Sequence, residues 1–346
     1  MTRGTIEWQD GVVSLLDQTL LPHREERISV ADPATMVDAI KRLVVRGAPA
    51  LGVAGAYGVA LAALQNPHDS PEFADDVRSL REARPTAVNL ARMVDRAASV
   101  AESGPQRVLD EAEAIRNEEV AASVAMGERG ADLVEELAGS GPVRAMTICN
   151  TGGLATVERG TALAVIQTLH ERGGLAEALA LETRPLLQGG RLTTWELQRM
   201  GAPHRLIVDS AAPFLLSRRA ADVVLIGADR VTANGDTANK IGSYALALGA
   251  ARAGVPFIVV APESTVDLDT PTGAQVDIED RGAAEVISVD GTLIAPPGTA
   301  ALNPAFDVTP VDLITALVTD QRVIRFAEGE TLHPQPSEHD QGARST

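Results

Sequence analysis

Two side chains with different acid–base chemistry follow two apolar runs of the chain. Cys149, the single cysteine among 346 residues, ends the apolar run 145–149 and precedes a small-residue turn. Asp229 comes shortly after the apolar run Val223–Ile226. If both runs are parallel strands of one sheet, the thiol and the carboxyl lie at the edge where such sheets bind ligands. A thiol beside cations can form a thiolate base, and a carboxyl in an apolar cleft can serve as a general acid.

Both residues also have a structural interpretation. Cys149 could be a small apolar residue of the core, where cysteines are common. Asp229 could be a turn residue or an ion-pair partner of Arg230, which follows it directly. Two reactive side-chain types at two strand ends favour a functional interpretation of the pair.

The stretch 232–242 is rich in Gly and Asn and leads into a predicted helix. Backbone N–H groups at a helix start can hold a phosphate, and Asn239 and Lys240 would add side-chain donors. The alternative is a simple turn in which Gly235 supplies a positive φ. The sequence does not choose between these two interpretations.

A second polar segment, 182–193, also follows a predicted strand. Its side chains are rich in hydrogen-bonding groups, and Arg184 and Gln188 could face a substrate. Glu182 could equally pair with Arg184 or Arg191 in a structural network.

The elements that would position these residues fall into two groups. Asp10-Gly11 between apolar runs predicts a β-hairpin, and Asp32-Pro33 predicts a helix start. Apolar spacing predicts helices at 51–64, 87–100 and 106–137, so that residues 1–125 form a mostly helical domain.

From about Val143 short apolar runs alternate with amphipathic helices, including 161–171 and 242–253. This alternation predicts an α/β domain over residues 126–330, with a parallel sheet covered on both faces. The predicted strands are 145–149, 178–181, 206–208, Val223–Ile226 and Phe257–Val260.

Composition excludes several classes of function. The net charge of −17 argues against nucleic acid as a partner, because such binding needs clustered cations. The six His are scattered, no Cys/His cluster has zinc-ligand spacing, and no dinucleotide fingerprint or Walker loop occurs, so neither a metal nor a cofactor is expected.

No leader pattern and no uninterrupted apolar run of membrane-span length is present, which predicts a cytoplasmic protein without a membrane segment. Residues 331–346 are polar and are predicted to form a disordered tail.

Several longer motifs resemble one known family. They are Leu16-Asp-Gln-Thr19, Arg46-Gly-Ala-Pro-Ala-Leu-Gly52, Arg84-Pro-Thr-Ala-Val-Asn89, Cys149-Asn150, the segments 182–193 and 227–242, and Asn303-Pro-Ala-Phe-Asp-Val-Thr-Pro310. In this order they resemble the methylthioribose-1-phosphate isomerases, which are related to the regulatory subunits of initiation factor 2B. The resemblance covers nearly the whole chain except its C-terminal end.

The resemblance implies a metal-free aldose–ketose isomerase with Cys149 and Asp229 as its catalytic pair. It further implies a Rossmann-like C-terminal domain, a smaller helical N-terminal domain and a homodimer. The substrate would be a small sugar phosphate. The positions that match substrate and phosphate contacts of the family are Arg46, Gly47, Ala48, Arg84, Gln188, Asn239 and Lys240.

Three departures from the family pattern leave the substrate open. Ile148 stands in place of a usual His, Thr151-Gly152-Gly153 in place of Ala-Gly-Ala, and Asp209-Ser210-Ala211 in place of Asp-Asn-Met. Each is expected near the cleft, where the last could reshape the pocket for the C5 substituent. A 5-deoxy or 5-halogenated ribose 1-phosphate is therefore an alternative substrate. A non-catalytic regulatory subunit and a ribose 1,5-bisphosphate isomerase are further alternatives.

Overall fold

The computed structural model describes residues 4–84, 87–139 and 141–332. Its helices are α1 (Pro33–Lys41), α2 (Ala48–Gln65), α3 (Pro71–Arg81), α4 (Val88–Ala98), α5 (Pro105–Ala138), α6 (Ala162–Glu171), α7 (Thr194–Arg199), α8 (Ala212–Ser217), α9 (Ser243–Ala253) and α10 (Ala284–Ile287). Its strands are β1 (Ile6–Gln9), β2 (Val12–Leu16), β3 (Arg27–Val30), β4 (Val143–Thr147), β5 (Leu175–Leu181), β6 (His204–Ile207), β7 (Val223–Ile226), β8 (Arg230–Thr232), β9 (Thr237–Lys240), β10 (Phe257–Val260), β11 (Val266–Asp267), β12 (Ser288–Val289), β13 (Thr292–Leu293), β14 (Phe306–Thr309), β15 (Ala316–Val318) and β16 (Val323–Ile324). Residues 333–346 of the predicted tail lie outside the described part.

The N-terminal part combines a small antiparallel sheet with helices α1 to α4 and the first half of α5. The predicted hairpin is β1 and β2, and β3 adds a third strand that the sequence analysis did not anticipate. The predicted start of α1 is confirmed, since the Asp32 carboxylate accepts a hydrogen bond from the backbone N–H of Thr35 at 2.8 Å. Helix α3 was also not anticipated. It buries little more than Phe73 and Leu80, so its apolar periodicity is weak.

Helix α2 forms the centre of the N-terminal core. It has the length and mean hydropathy of a membrane span, but 72% of its apolar window is buried inside the protein. Small residues let its neighbours approach closely. At Gly55, for example, an added Cβ would lie 2.6 Å from Leu90 of α4. Burial on nearly all sides explains why the helix is apolar all round.

The C-terminal part is built on a seven-stranded sheet with the order β16-β15-β10-β7-β4-β5-β6. All neighbouring strands are parallel except β16, which pairs antiparallel with β15. Helices α5 and α6 cover one face, and α8 and α9 cover the other. The predicted α/β class, with a parallel sheet covered on both faces, is therefore confirmed.

The apolar cores divide along helix α5. Ile115 of α5 belongs to the N-terminal core, whereas Met126 of the same helix packs against the large sheet. The boundary placed at residues 125 and 126 thus falls inside one continuous helix of 34 residues. The division of the chain at that point stays a prediction.

A four-stranded sheet with the order β11-β8-β9-β14 follows β7. The stretch 232–242 was expected to lead into a helix as an irregular segment, but residues Thr237–Lys240 form strand β9. Strand β9 pairs antiparallel with both β8 and β14. Gly235 has φ of +94° in the connecting turn, so the turn interpretation of this glycine holds.

Candidate active site

Cys149 and Asp229 lie at the carboxyl ends of two neighbouring strands. Strands β4 and β7 pair parallel, with Ala145 opposite Val223. The chain therefore leaves both strands at the same edge of the sheet. Both side chains line one cavity of about 910 Å³, which is large enough for a small-molecule ligand.

The backbone holds Cys149 in a fixed orientation. The strand ends at Thr147 rather than at Cys149, which has a left-handed φ of +65°. Its N–H donates to Thr183 Oγ1 at 2.8 Å, and its carbonyl accepts from Thr193 Oγ1 at 2.6 Å. A left-handed cysteine is uncommon and costs free energy, so surrounding contacts must enforce it. The residue is buried, with 8% of its surface exposed.

Arg46 links the thiol to the turn that follows it. One guanidinium nitrogen, Nη2, donates to Cys149 Sγ at 3.6 Å, and the other, Nη1, donates to Asn150 Oδ1 at 2.9 Å. A cation at the sulfur favours the thiolate form. Arg46 comes from the loop before α2, so residues 103 positions apart in the chain meet here.

Gly47 and Ala48 place Arg46 against this turn. Gly47 has φ of +93°, and an added Cβ would lie 2.2 Å from the carbonyl oxygen of Ala155. Only glycine fits this backbone position. Ala48 begins α2 and lines the cavity beside Arg46.

Asp229 lines the cleft, and its carboxylate receives no hydrogen bond from any part of the chain that the structure describes. The residue is exposed on the side of the cleft, although protein atoms surround its carboxyl elsewhere. Burial raises the pKa of Asp229, while Arg230, Lys240 and Arg84 oppose that rise. Arg230 forms its ion pair with Asp267 instead, at 3.1 Å, so Asp229 is not its salt-bridge partner.

Asn239 and Lys240 reach the cavity from strand β9. The Lys240 ammonium donates to the carbonyl of Ala305 at 2.7 Å and lies 4.7 Å from the ring centre of Phe306. Burial lowers the pKa of Lys240, whereas charge on Cys149 and Asp229 raises it. Lys240 is thus electrostatically coupled to both candidate catalytic groups. Asn239 Nδ2 donates to Ser243 Oγ at 2.8 Å.

The start of α9 is not a free anion site. The Asp307 carboxylate accepts hydrogen bonds from the backbone N–H of Gly242 at 2.7 Å and of Tyr244 at 3.1 Å. A side-chain carboxylate therefore occupies the position that a phosphate would take. Of the two interpretations that the sequence left open, the phosphate held by backbone N–H groups at this helix start is therefore not supported.

Arg84 and Gln188 line the same cavity with unused hydrogen-bonding groups. Burial lowers the pKa of Arg84, and no residue in the described ranges forms an ion pair with it. Gln188 is 5% exposed, and its buried Oε1 has no partner within the described chain. Unpaired buried polar groups are costly, which indicates that a ligand supplies their partners.

Other residues of segment 182–193 have structural roles. Arg184 does not line the cavity and donates to the carbonyls of Pro185 and Val286, at 2.9 Å in each case. Arg191 lines the cavity but donates to backbone carbonyls, including that of Gln18 at 3.0 Å. The predicted pairing of Glu182 with either arginine is wrong, since within the described ranges Glu182 forms no ion pair.

The lining of the cavity is cationic although the chain is strongly acidic. Eight Lys or Arg and five Asp or Glu are among its described lining residues. An anionic small molecule is therefore favoured inside the cleft. Within the described ranges no group of three His, Cys, Asp or Glu could hold a metal ion.

The sequence analysis missed two charged residues at this site. Glu196 on α7 accepts a hydrogen bond from Asn150 Nδ2 at 2.6 Å, and burial raises its pKa to about 7. Arg281 lines the cavity from the segment before α10, in an ion pair with Glu285. Neither residue stands next to a recognisable motif, so no local signal identified it.

Of the three departures from the family pattern, only Thr151 lines the cavity. Ile148 and the residues Ser210 and Ala211 do not line it, so the expectation that Ala211 reshapes the substrate pocket was wrong. Asp209 instead holds the backbone, accepting hydrogen bonds from the N–H groups of Thr183 and Arg184, both at 2.7 Å.

The fold and site define an α/β protein with a cationic cleft at the carboxyl edge of a parallel sheet. The chain belongs to the initiation factor 2 subunit family, whose profile matches residues 44–325.

Curated relatives match the chain over most of its length. A methylthioribose-1-phosphate isomerase of Heliobacterium modesticaldum is 48% identical over 341 residues, which is 95% of this chain and 97% of that protein. A probable bifunctional methylthioribose-1-phosphate isomerase/methylthioribulose-1-phosphate dehydratase of Nocardia farcinica is 48% identical over 93% of this chain. The chain spans 59% of the length of that bifunctional relative.

Two solved structures share the fold closely. The 5-methylthioribose 1-phosphate isomerase from Pyrococcus horikoshii has a TM-score of 0.87 and 37% identity, covering 94% of this chain and 93% of that one. The translation initiation factor eIF-2B, subunit delta, from A. fulgidus has a TM-score of 0.82 and 40% identity, covering 94% and 96%. The resemblance drawn from the sequence motifs is thus confirmed.

Proposed function

We propose that this chain is an aldose–ketose isomerase that converts 5-methylthioribose 1-phosphate to 5-methylthioribulose 1-phosphate. One observation carries the proposal: the thiol of Cys149 and the carboxyl of Asp229 face a single cationic cleft from adjacent strand ends. The high identity to named isomerases over nearly the full chain supports the same conclusion.

Asp229 is the general acid of this proposal. A phosphate on the anomeric oxygen prevents spontaneous ring opening, so the ring oxygen must be protonated as its bond to C1 breaks. Burial raises the pKa of Asp229, which favours the protonated carboxyl that this step requires. Afterwards the carboxylate accepts the proton that leaves the C2 hydroxyl as the ketone forms, which restores the acid.

Cys149 assists the hydrogen transfer from C2 to C1 by one of two routes. In the proton route its thiolate removes the C2 proton, an enol forms, and the thiol returns the proton to C1. In the hydride route the hydrogen moves from C2 to C1 with its electron pair, and the thiolate stabilises the cationic intermediate. The Arg46 guanidinium at the sulfur supports a thiolate in either case.

We propose that cationic and hydrogen-bonding side chains of the cleft bind the phosphate. Arg84 has no counter-ion among the described residues, and the Lys240 ammonium interacts electrostatically with both Cys149 and Asp229. The side chains of Gln188 and Asn239 complete the set from two other elements. An oxygen-rich dianion would satisfy these groups together.

The C5 substituent is proposed to contact apolar side chains of the cleft. Leu21, Leu43, Leu51, Leu186 and Leu192 are among the lining residues. An apolar contact suits a methylthio group better than a second phosphate. It discriminates poorly between small apolar groups, so a 5-deoxy or 5-halogenated ribose 1-phosphate is the competing substrate.

The proposal is tested by turnover with defined sugars. The comparison uses 5-methylthioribose 1-phosphate, 5-deoxyribose 1-phosphate, ribose 1-phosphate and ribose 1,5-bisphosphate, with kcat/KM measured for each. We expect the first to be best and the bisphosphate to be poor. No turnover of any sugar would refute the isomerase and favour a regulatory subunit, a role suggested by the initiation-factor structure that shares this fold.

Solvent exchange distinguishes the two routes for Cys149. In heavy water the proton route introduces solvent deuterium at C1 of the product. The hydride route retains the original hydrogen there. Mass spectrometry of the product reads out the difference directly.

We further propose a cytoplasmic homodimer that binds neither nucleic acid nor membrane. Exposed apolar side chains lie on the edge strand β6 and on α8 and α9, which pack together. Leu206, Phe214 and Leu248 are 51%, 62% and 46% exposed. Large exposed apolar side chains of this kind are typical of a protein interface.

A further inference from the structure

A line of three hydrogen bonds runs from a carboxylate behind the cleft to the sulfur in it. Glu196 Oε1 accepts from Asn150 Nδ2 at 2.6 Å. Asn150 Oδ1 accepts from Arg46 Nη1 at 2.9 Å, and Arg46 Nη2 donates to Cys149 Sγ at 3.6 Å. Glu196 itself does not line the cavity, so it cannot contact a substrate there.

Glu196 is packed tightly in its position, although no cation in residues 4–84, 87–139 and 141–332 forms an ion pair with it. A Cβ on Gly152 would lie 2.5 Å or less from both carboxylate oxygens of Glu196. The turn can therefore approach Glu196 this closely only because residue 152 is a glycine. The backbone N–H of Leu154 also donates to Oε2, at 3.4 Å. Burying a carboxylate behind a turn costs desolvation free energy, which indicates that Glu196 has a role in the site.

The charge state of Glu196 sets how strongly the Asn150 amide is held. An ionised carboxylate only accepts hydrogen bonds and a guanidinium only donates them, so Asn150 presents its NH₂ to Glu196 and its oxygen to Arg46. The hydroxyl oxygen of Thr193 also accepts from that NH₂, at 3.3 Å. Protonation of Glu196 removes the charge assistance of its hydrogen bond and so weakens its hold on the amide.

We infer that Glu196 is a positioning residue that, through the Asn150 amide, holds the Arg46 guanidinium against the Cys149 thiol. The inference rests on the proposed role of Cys149. It assigns to α7 a part in setting the reactivity of the sulfur without contact to the substrate.

Glu196 also makes this arrangement sensitive to pH near neutrality. Burial raises its pKa to about 7, while the hydrogen bond from Asn150, the N–H groups of Leu154 and Gly153 and the charge of Arg46 lower it. In the described ranges Arg46 is the charged group that acts on Glu196, and α6 contributes apolar Leu163 beside the turn. Above this pKa a charge-assisted hydrogen bond holds the amide, and below it that hydrogen bond is weaker.

Alkylation of Cys149 by iodoacetamide tests the inference without any substrate. The chain has one cysteine, so the rate reports on that sulfur alone. We expect Glu196→Gln to lower the second-order rate at pH 8 about tenfold, the size of one charge-assisted hydrogen bond. We also expect the wild-type rate to have an inflection near pH 7 that this variant lacks.

Glu171→Gln is the matched control. Glu171 accepts hydrogen bonds from Arg159 and Gln167 outside the cleft, so its change should leave the alkylation profile unaltered. A double-mutant cycle with Arg46→Met should be strongly non-additive, because both changes remove the same contact. A wild-type profile in Glu196→Gln, or additive losses in the cycle, would overturn the inference.

A second variant keeps the test valid if Glu196→Gln does not fold. Asn150→Ser removes the amide and should reproduce the tenfold loss and the missing inflection; a wild-type alkylation profile in this variant would contradict the inference. The isomerase proposal can fail independently of this inference. If the protein turned over none of the sugars but its alkylation still depended on Glu196, the isomerase proposal would be refuted and the positioning role of Glu196 would stand.

Discussion

Gly47→Ala compared with Gly104→Ala gives a sharp test of how the cleft is built. Both glycines cap the N-terminus of a helix, α2 and α5, and both have a proline in the first turn of that helix. Their φ values are 93° and 96°, in a region that is essentially open to glycine alone. Alanine should therefore cost each position about 1–3 kcal/mol of backbone strain.

The two sites differ in what the new Cβ would meet. At Gly104 no atom of the described residues lies within 4 Å, whereas at Gly47 the carbonyl oxygen of Ala155 lies at 2.2 Å. That oxygen accepts a hydrogen bond from the N–H of Ala50 at 3.3 Å, so its retreat weakens a contact worth about 1 kcal/mol. It also displaces Arg46, the residue before Gly47, from Cys149.

We expect Gly104→Ala to lower stability and leave kcat/KM unchanged. Gly47→Ala should lose roughly 1–2 kcal/mol more in the free energy of unfolding. It should also lose about a hundredfold in kcat/KM, the usual cost of an ångström-scale misplacement in a site. Urea titration and steady-state kinetics on both variants make the comparison. Equal stability losses, or an active Gly47→Ala enzyme, would refute the reasoning.

Three further predictions concern acid–base chemistry and assembly. Asp229→Asn should lower kcat/KM about 10²–10⁴-fold. In the wild type, kcat/KM should fall as pH rises through the raised pKa of Asp229 and its proton is lost, a limb absent from the pH–rate profile of the Asn variant. Because the pKa of Glu196 rises from 4.5 to about 7 on folding, the native state binds more protons, and stability falls as pH rises between these values. Glu196→Gln should therefore gain up to about 3 kcal/mol relative to wild type between pH 4.5 and pH 8 in urea titrations, and a pH-independent difference would contradict this. Phe214→Asp should shift the molar mass in light scattering from dimer to monomer, and an unchanged mass would rule out this face.

The meeting of Cys149 and Asp229 could be predicted because it follows from topology alone. Apolar runs without polar alternation indicate buried parallel strands, and neighbouring parallel strands end at one edge. Membership of one parallel sheet places both residues at the same edge, and the adjacency of β4 and β7 in the strand order brings them together. The substrate-contact positions came from motif resemblance, and their roles stay predictions.

The residues that the sequence analysis placed wrongly depend on partners far along the chain. Strand β9 has a short polar sequence, and it pairs both with the adjacent strand β8 and with β14, which lies more than 60 residues away. Asp307, the residue that occupies the start of α9, comes from the same distant segment. Likewise the partner of Glu196 lies 46 residues away, so on sequence alone α7 is an ordinary amphipathic helix.

Helix α5 has a consequence for how the molecule melts. Its 34 residues span about 50 Å, and its two halves are anchored in different apolar cores. Loss of either core would leave half of a helix without its packing, and isolated helical segments are marginal in water. Calorimetry should accordingly record one endotherm rather than two, with the van't Hoff enthalpy close to the calorimetric value.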